Sequence, residues 1–129
     1  DMMTRINCVP PEELTNKHLF AEWREMPRLV KNLETSLNRK TKPFSQDEIP
    51  ESYTLGKGHV KFFYNKFKWL HERHKHITQL LLDRNYSLSH TDSDVFTRVP
   101  EEYYNDWSPT ETAMQINRER IKERLNGKV

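Results

Sequence analysis

The chain has one cysteine, three glycines and no long apolar run. A single thiol, Cys8, cannot close an internal disulfide, which fits a reducing, intracellular setting; a cytoplasmic location is expected. No apolar stretch approaches the ~20 residues of a bilayer span and no signal peptide is visible, so no membrane role is expected. The sequence also lacks paired-cysteine motifs and His-Glu-x-x-His, two short signatures of a zinc site. His71, His74 and His76 do not share one helix face, so no metal is expected. His74 reads instead as a partly buried, hydrogen-bonded core residue. No repeat, low-complexity tract or convincing strand pattern is present.

A chain of 129 residues has the length of one domain with one modest core, so residues 1–129 are taken as a single unit. Apolar residues make up only 34% and charged residues 31%, so the core must come from a few well-patterned faces. Aromatic residues, at 11%, argue against disorder. The net charge of +2 hides a strong segregation. Residues 28–42 hold five basic side chains and one acid, 57–75 hold six and one, and 118–128 hold five and two. Residues 92–111 hold six acids and one arginine. Such a division suits either a polyanion-binding surface or three ordinary solvated helix faces.

The periodicity predicts an all-α, compact domain of three main helices with long irregular connections. The first helix is expected to start at Pro10-Pro11-Glu12-Glu13 and end near residues 38–40, with Leu19, Trp23, Met26, Val30, Leu33 and Leu37 as its apolar stripe. Pro27 interrupts that stripe without ending it, so it should kink the helix or free a carbonyl. The connection over residues 41–57 is long and should be packed. A second, central helix is expected from about Gly58 to residues 83–85, with Asn85 suited to a left-handed stop. Phe96, Val99, Tyr103, Tyr104 and Trp107 should pin the acidic segment 86–107 onto the helices. Ser108-Pro109-Thr110-Glu111 matches a capping box and predicts a third helix running to about Leu125. The apolar stripes are just enough for one another, so a monomer is expected.

Chemistry concentrates on the first helix. At 100° per residue, His18, Ala21, Arg24, Glu25 and Arg28 gather opposite the stripe, with the smallest side chain leaving room for close approach. The set can bind phosphates and move a proton, or it can be a surface helix with ion pairs worth about 0.2–0.5 kcal/mol each. Gly56-Lys57-Gly58-His59 reads equally as a phosphate-approaching turn or a simple tight turn, with His59 structural or near phosphate. Arg120 and Arg124, one turn apart, read as phosphate contacts or as a solvated helix end.

Three blocks carry a resemblance that spans nearly the whole chain: Met3-Thr4-Arg5-Ile6-Asn7; His18-Leu19 with residues 21–28; and residues 55–66, with a looser match over 109–124. Together they resemble the phage-type endonuclease V family, the pyrimidine-dimer DNA glycosylases with AP-lyase activity. The resemblance implies a compact three-helix fold and a partner: duplex DNA containing pyrimidine dimers or abasic sites. It implies no cofactor. Thr4 would be the nucleophile through its α-amine, and Glu25 the catalytic carboxylate. Arg24 and Arg28 would bind phosphates, assisted by Arg5, Arg120 and Arg124, with His18 lining the same pocket. In this family the DNA is kinked and a base opposite the lesion is flipped out.

An α-amine has a reference pKa near ~7.7–8.0, so much of it is neutral and nucleophilic near pH 7, and neighbouring arginines lower it further. Thr4 is preceded by Asp1-Met2-Met3, so its amine is free only when the chain starts at Met3 and that methionine is removed. The sequence ends at Val129, where the founding family member runs on into an aromatic, lysine-containing tail that helps hold the lesion; a broader or different lesion preference is the corresponding expectation. Rival readings are a glycosylase for another damaged or modified base, a non-catalytic DNA-binding module on the same scaffold, and a helical protein-interaction domain.

Overall fold

The computed structural model describes residues 6–127. Among these the fold is all-α: α1 Asn16–Glu25, α2 Arg28–Leu37, α3 Phe67–Asp83 and α4 Glu111–Leu125, joined by short 3-10 turns, with no strand. No helix among the described residues is long and apolar enough to cross a membrane.

The predicted first helix starts later than expected. Pro11–Glu13 forms only a 3-10 turn, and Leu14 then extends to bury its side chain. Thr15 is the true cap: its hydroxyl accepts the His18 N–H, satisfying one of the orphan donors of a helix start. Pro27 divides the helix into α1 and α2. Met26 and Pro27 keep right-handed helical dihedrals, so Leu19, Trp23, Met26, Val30 and Leu33 all stay buried across the junction. Two tightened bonds bridge it, from Leu29 N to Met26 O (3.1 Å) and from Val30 N to Pro27 O (3.2 Å). Proline has no N–H for the Trp23 carbonyl. That freed carbonyl instead accepts from His74 Nε2 at 3.2 Å.

The connection that follows is packed, as expected. Phe44 and Tyr53 are buried, and Phe44 N bonds Ser36 O. A capping box does occur here: Ser45 N donates to Glu48 Oε2 while Ser45 Oγ accepts from Asp47 N.

The central helix also starts later than predicted, at Phe67 rather than Gly58. Phe62, Phe63 and Tyr64 are all buried, and three consecutive residues at 100° spacing cannot share one face of a regular helix. The chain wraps them in a 3-10 turn, Lys61–Phe63, and breaks at Lys66 (φ −127°) before α3 begins. From there Phe67, Leu70, His74, Ile77 and Leu81, spaced by threes and fours, are buried. Asn85 takes the left-handed stop (φ 67°). α3 packs against α1 and against the Pro11–Glu13 and Asp94–Arg98 turns. Phe96, Val99 and Tyr103 are buried, with Tyr104 and Trp107 packed on the core's edge.

The expected Ser108 capping box does not form. Thr110 competes for the same role, its hydroxyl accepting from Ala113 N at 3.0 Å, so α4 begins at Glu111. It ends at Leu125, as predicted, and Gly127 beyond it is left-handed (φ 72°).

One feature of the architecture has no counterpart in helix periodicity. Residues Ile6 to Val9 are buried in the middle of the fold without belonging to any helix, and they touch three helices. Asn7 Nδ2 donates to Glu22 Oε1 on α1, Arg73 Nη1 on α3 donates to Val9 O, and Asn117 Oδ1 on α4 accepts from Cys8 N.

Candidate active site

The polar face of α1 follows directly from the helix. With the stripe buried, Arg24 is exposed and His18, Ala21 and Glu25 are half-buried. Arg28, the first residue of α2, remains one turn beyond Glu25 because the junction keeps helical dihedrals. Its Nη1 lies 2.7 Å from Glu25 Oε2, yet the contact is not aligned as a hydrogen bond. The Glu25 side chain is 30% exposed, against 68% for Arg28. The carboxylate is thus charge-paired but not tied into a bidentate clamp, and its Oε2 is shielded from solvent with no hydrogen bond.

His18 is held from behind by Thr15, whose Oγ1 lies 2.9 Å from Nδ1. Burial depresses the His18 pKa, and Arg124 on α4 lowers it further, against an opposing pull from Glu22. The imidazole is therefore neutral at neutral pH, and Arg124 belongs to the same electrostatic neighbourhood. Arg120, one turn earlier on α4, has a side chain 23% exposed and lies 3.9 Å from Glu123. Thr4 and Arg5 lie outside the described residues. Among the sequence-predicted residues, His18, Arg24, Glu25 and Arg28 share one side of the α1–α2 element, and the Arg124 charge acts on His18.

The three clustered histidines go separate ways. His74 is fully buried, stacked on Trp23, and bonded to Ser93 Oγ at 2.6 Å and to the Trp23 carbonyl. His71 Nδ1 pairs with Tyr104 OH, and His76 with Glu12. His59 is structural: it is 1% exposed and bonds Ile6. The Gly56–Gly58 segment is a tight turn closed by His59 N to Gly56 O, and no α-helix starts there to bind an anion at its N-terminus.

Sequence reasoning missed the polar centre of the molecule. Glu22 and Arg73 form an ion pair at 2.5 Å with side chains 1% and 6% exposed, so Arg73 adds nothing to the basic surface. The available signal was positional: Glu22 adjoins Leu19, Trp23 and Met26 on the helical wheel, and Arg73 sits between Leu70 and Ile77. An acid on one core stripe and a base on another can satisfy each other only by meeting. Asn7 and Asn117 extend the pair, with Asn117 Nδ2 donating to Asn7 Oδ1 at 2.8 Å. Cys8 beside it is pushed up to about 11, chiefly by burial, so its thiol stays protonated and unreactive.

A small all-α domain with an open face of arginines around one carboxylate has the features of a protein acting on a large polyanion. Residues 3–94 match the family model for pyrimidine dimer DNA glycosylase, and the chain belongs to that family. It is therefore an enzyme, a DNA repair glycosylase, with DNA as its substrate. The match ends within the Asp94–Arg98 turn, so α4, with Arg120 and Arg124, lies beyond it.

Proposed function

We propose that the protein excises cyclobutane pyrimidine dimers from duplex DNA and then cleaves the strand, using the α-amine of Thr4 and the carboxylate of Glu25. The supporting observation is the Asn7–Glu22 bond of 3.0 Å. It lays the leading segment against α1 one turn before Glu25. Residues three apart on a helix are ~5–6 Å apart at Cβ, and three extended residues reach about 10 Å. Thr4 is three residues before Asn7, a chain length that allows its amine to meet Glu25.

The neutral amine attacks C1′ of the lesion's 5′ nucleotide, and the C1′–N bond breaks with its electron pair leaving on the base. Glu25 stabilises the cationic sugar and carries protons as the ring opens to an imine. The imine acidifies the C2′ proton; its removal expels the 3′ phosphate by β-elimination. Water then releases the amine. Arg24 and Arg28, with Arg5, Arg120 and Arg124, bind flanking phosphates, while His18 lines the pocket. The chemistry asks for no cofactor, and the protein acts as a monomer on dimer-containing or abasic duplex.

Borohydride reduction tests the mechanism. A chain with a free Thr4 amine is expected to form a stable covalent adduct with abasic or dimer-containing duplex, and absence of the adduct refutes the imine. Glu25→Gln should keep DNA affinity while strand cleavage falls by roughly 10²–10⁴-fold, the range of a lost acid–base group. Cleavage at the parent rate in that variant rules out the role given to Glu25.

A further inference from the structure

Ile6 is the first described residue of the chain, two positions after Thr4. It is completely buried, and among the described residues there is no strand to pair its backbone. Both of its backbone polar groups are nevertheless satisfied, and by one loop. Ile6 N–H donates to His59 Nε2 at 2.8 Å, and Tyr53 OH donates to Ile6 O at 3.0 Å.

The loop is built to hold that pose. His59 Nδ1 lies 2.7 Å from the Thr54 carbonyl, which can only accept, so Nδ1 carries the proton and Nε2 is left as an acceptor. Tyr53 packs edge-on against the imidazole, ring centres 5.5 Å apart. At the base of the loop Gly58 takes φ +89°, and a Cβ there would meet Pro50 Cγ at 3.0 Å. A side chain at 58 would be strained by both the backbone and the Pro50 contact, and the turn delivers His59 inward.

We propose that His59 and Tyr53 are positioning residues for the glycosylase reaction: by gripping both backbone groups of Ile6 they set where the Thr4 amine stands relative to Glu25. This role rests on the amine mechanism above. Two residues span at most about 7 Å, so the position of Ile6 bounds where the amine can stand. Misplacement of a reacting group by about 1 Å costs up to ~10²-fold in rate.

The test uses the full chain with Thr4 free and measures three quantities. They are the single-turnover rate of borohydride-trapped adduct at saturating abasic duplex, the affinity for duplex carrying a tetrahydrofuran abasic analogue, and hydrogen exchange at the Ile6 amide. His59→Phe should slow trapping roughly 10- to 100-fold and Tyr53→Phe several-fold. Affinity should fall much less than the trapping rate in both, because of the phosphate-binding set only Arg5 is attached directly to Ile6. His59→Gln returns an acceptor near Nε2 and should recover most of the rate. The Ile6 amide should exchange faster in His59→Phe and not in His59→Gln. If His59→Phe is too unstable, Tyr53→Phe and His59→Gln carry the comparison. Folded variants that trap at the parent rate, or lose rate only in proportion to lost affinity, overturn the positioning role alone. A parent chain that traps no adduct overturns the amine mechanism and this role with it.

Discussion

The Glu22–Arg73 pair offers the sharpest test of how the molecule is held together. Glu22→Gln keeps the side chain's size and leaves an oxygen that can still accept from Asn7, so it removes little but the charge. Arg73 then remains buried, with Val9 O as an acceptor and the Trp69 ring 5.4 Å away, but without a counter-ion. Breaking a buried pair from one side costs about 3–5 kcal/mol. That is a large part of the ~5–15 kcal/mol that stabilises a domain. At about 2 cal/mol/K of unfolding entropy per residue, a chain of this length should lose roughly 10–20 °C in melting temperature. Arg73→Met should cost as much, since it strands the carboxylate. Combining the two removes both charges, leaving chiefly the Val9 carbonyl unpaired at about 1–3 kcal/mol. The double variant should therefore be no less stable than the worse single variant. Urea unfolding of all four proteins measures the cycle. Additive losses, or a Glu22→Gln cost below about 1 kcal/mol, would show that the pair is not a coupled, desolvated unit.

Other outcomes follow from single positions. Burial holds His74 down at about 4 while an unfolded histidine titrates near 6.5, so the unfolded chain takes up a proton that the folded one refuses. Stability from this residue is therefore complete above pH 6.5 and falls between 6.5 and 4, by about 2 kcal/mol at pH 5. Urea midpoints for His74→Gln should lack that slope, and an unchanged slope would assign the acid sensitivity elsewhere. Gly58→Ala should cost about 1–2 kcal/mol or more because it combines positive φ with the Pro50 contact, whereas Gly56→Ala, whose Cβ would meet nothing within 4 Å, should change little. Thr110→Ala should lose about 1 kcal/mol and Ser108→Ala almost nothing; the reverse order in thermal melts would restore the cap to Ser108.

The parts of the fold legible in the sequence are those governed by burial along a helix. The stripes from Leu19 to Leu33 and from Phe67 to Leu81 appear where their spacing puts them, because each position's fate depends on neighbours three and four residues away. Helix starts were misplaced because capping is a local competition: Thr15 and Thr110 each displaced a plausible earlier start. The Phe62–Tyr64 turn was hidden because its three aromatics are buried on all sides, which no amphipathic period describes. In the candidate site, the α1 face with His18, Arg24, Glu25 and Arg28 was readable from spacing alone. The polar centre was not, since a charge taken singly looks like surface, and only the meeting of α1 with α3 shows why Glu22 and Arg73 lie inside.

That polar centre makes physical sense as a device for register. Two apolar helix faces can slide against each other at modest cost, but a buried segment whose backbone is bonded to particular side chains cannot. Across Ile6 to Val9, five backbone groups are held by side chains from the 53–59 loop, α3 and α4. Moving the segment by one residue would bring Ile6 or Cys8 to the Glu22 carboxylate in place of the Asn7 amide, and would leave buried donors and acceptors unpaired at about 1–3 kcal/mol each. Several such losses together exceed what a marginally stable domain can bear. In the proposed mechanism the nucleophile is a freed chain end with covalent restraint on one side only, so its placement would depend on how firmly the next few residues are registered. In this fold the bonds that exclude a slipped register lie between two and five residues from Thr4, on the same segment that meets α1 beside the candidate carboxylate.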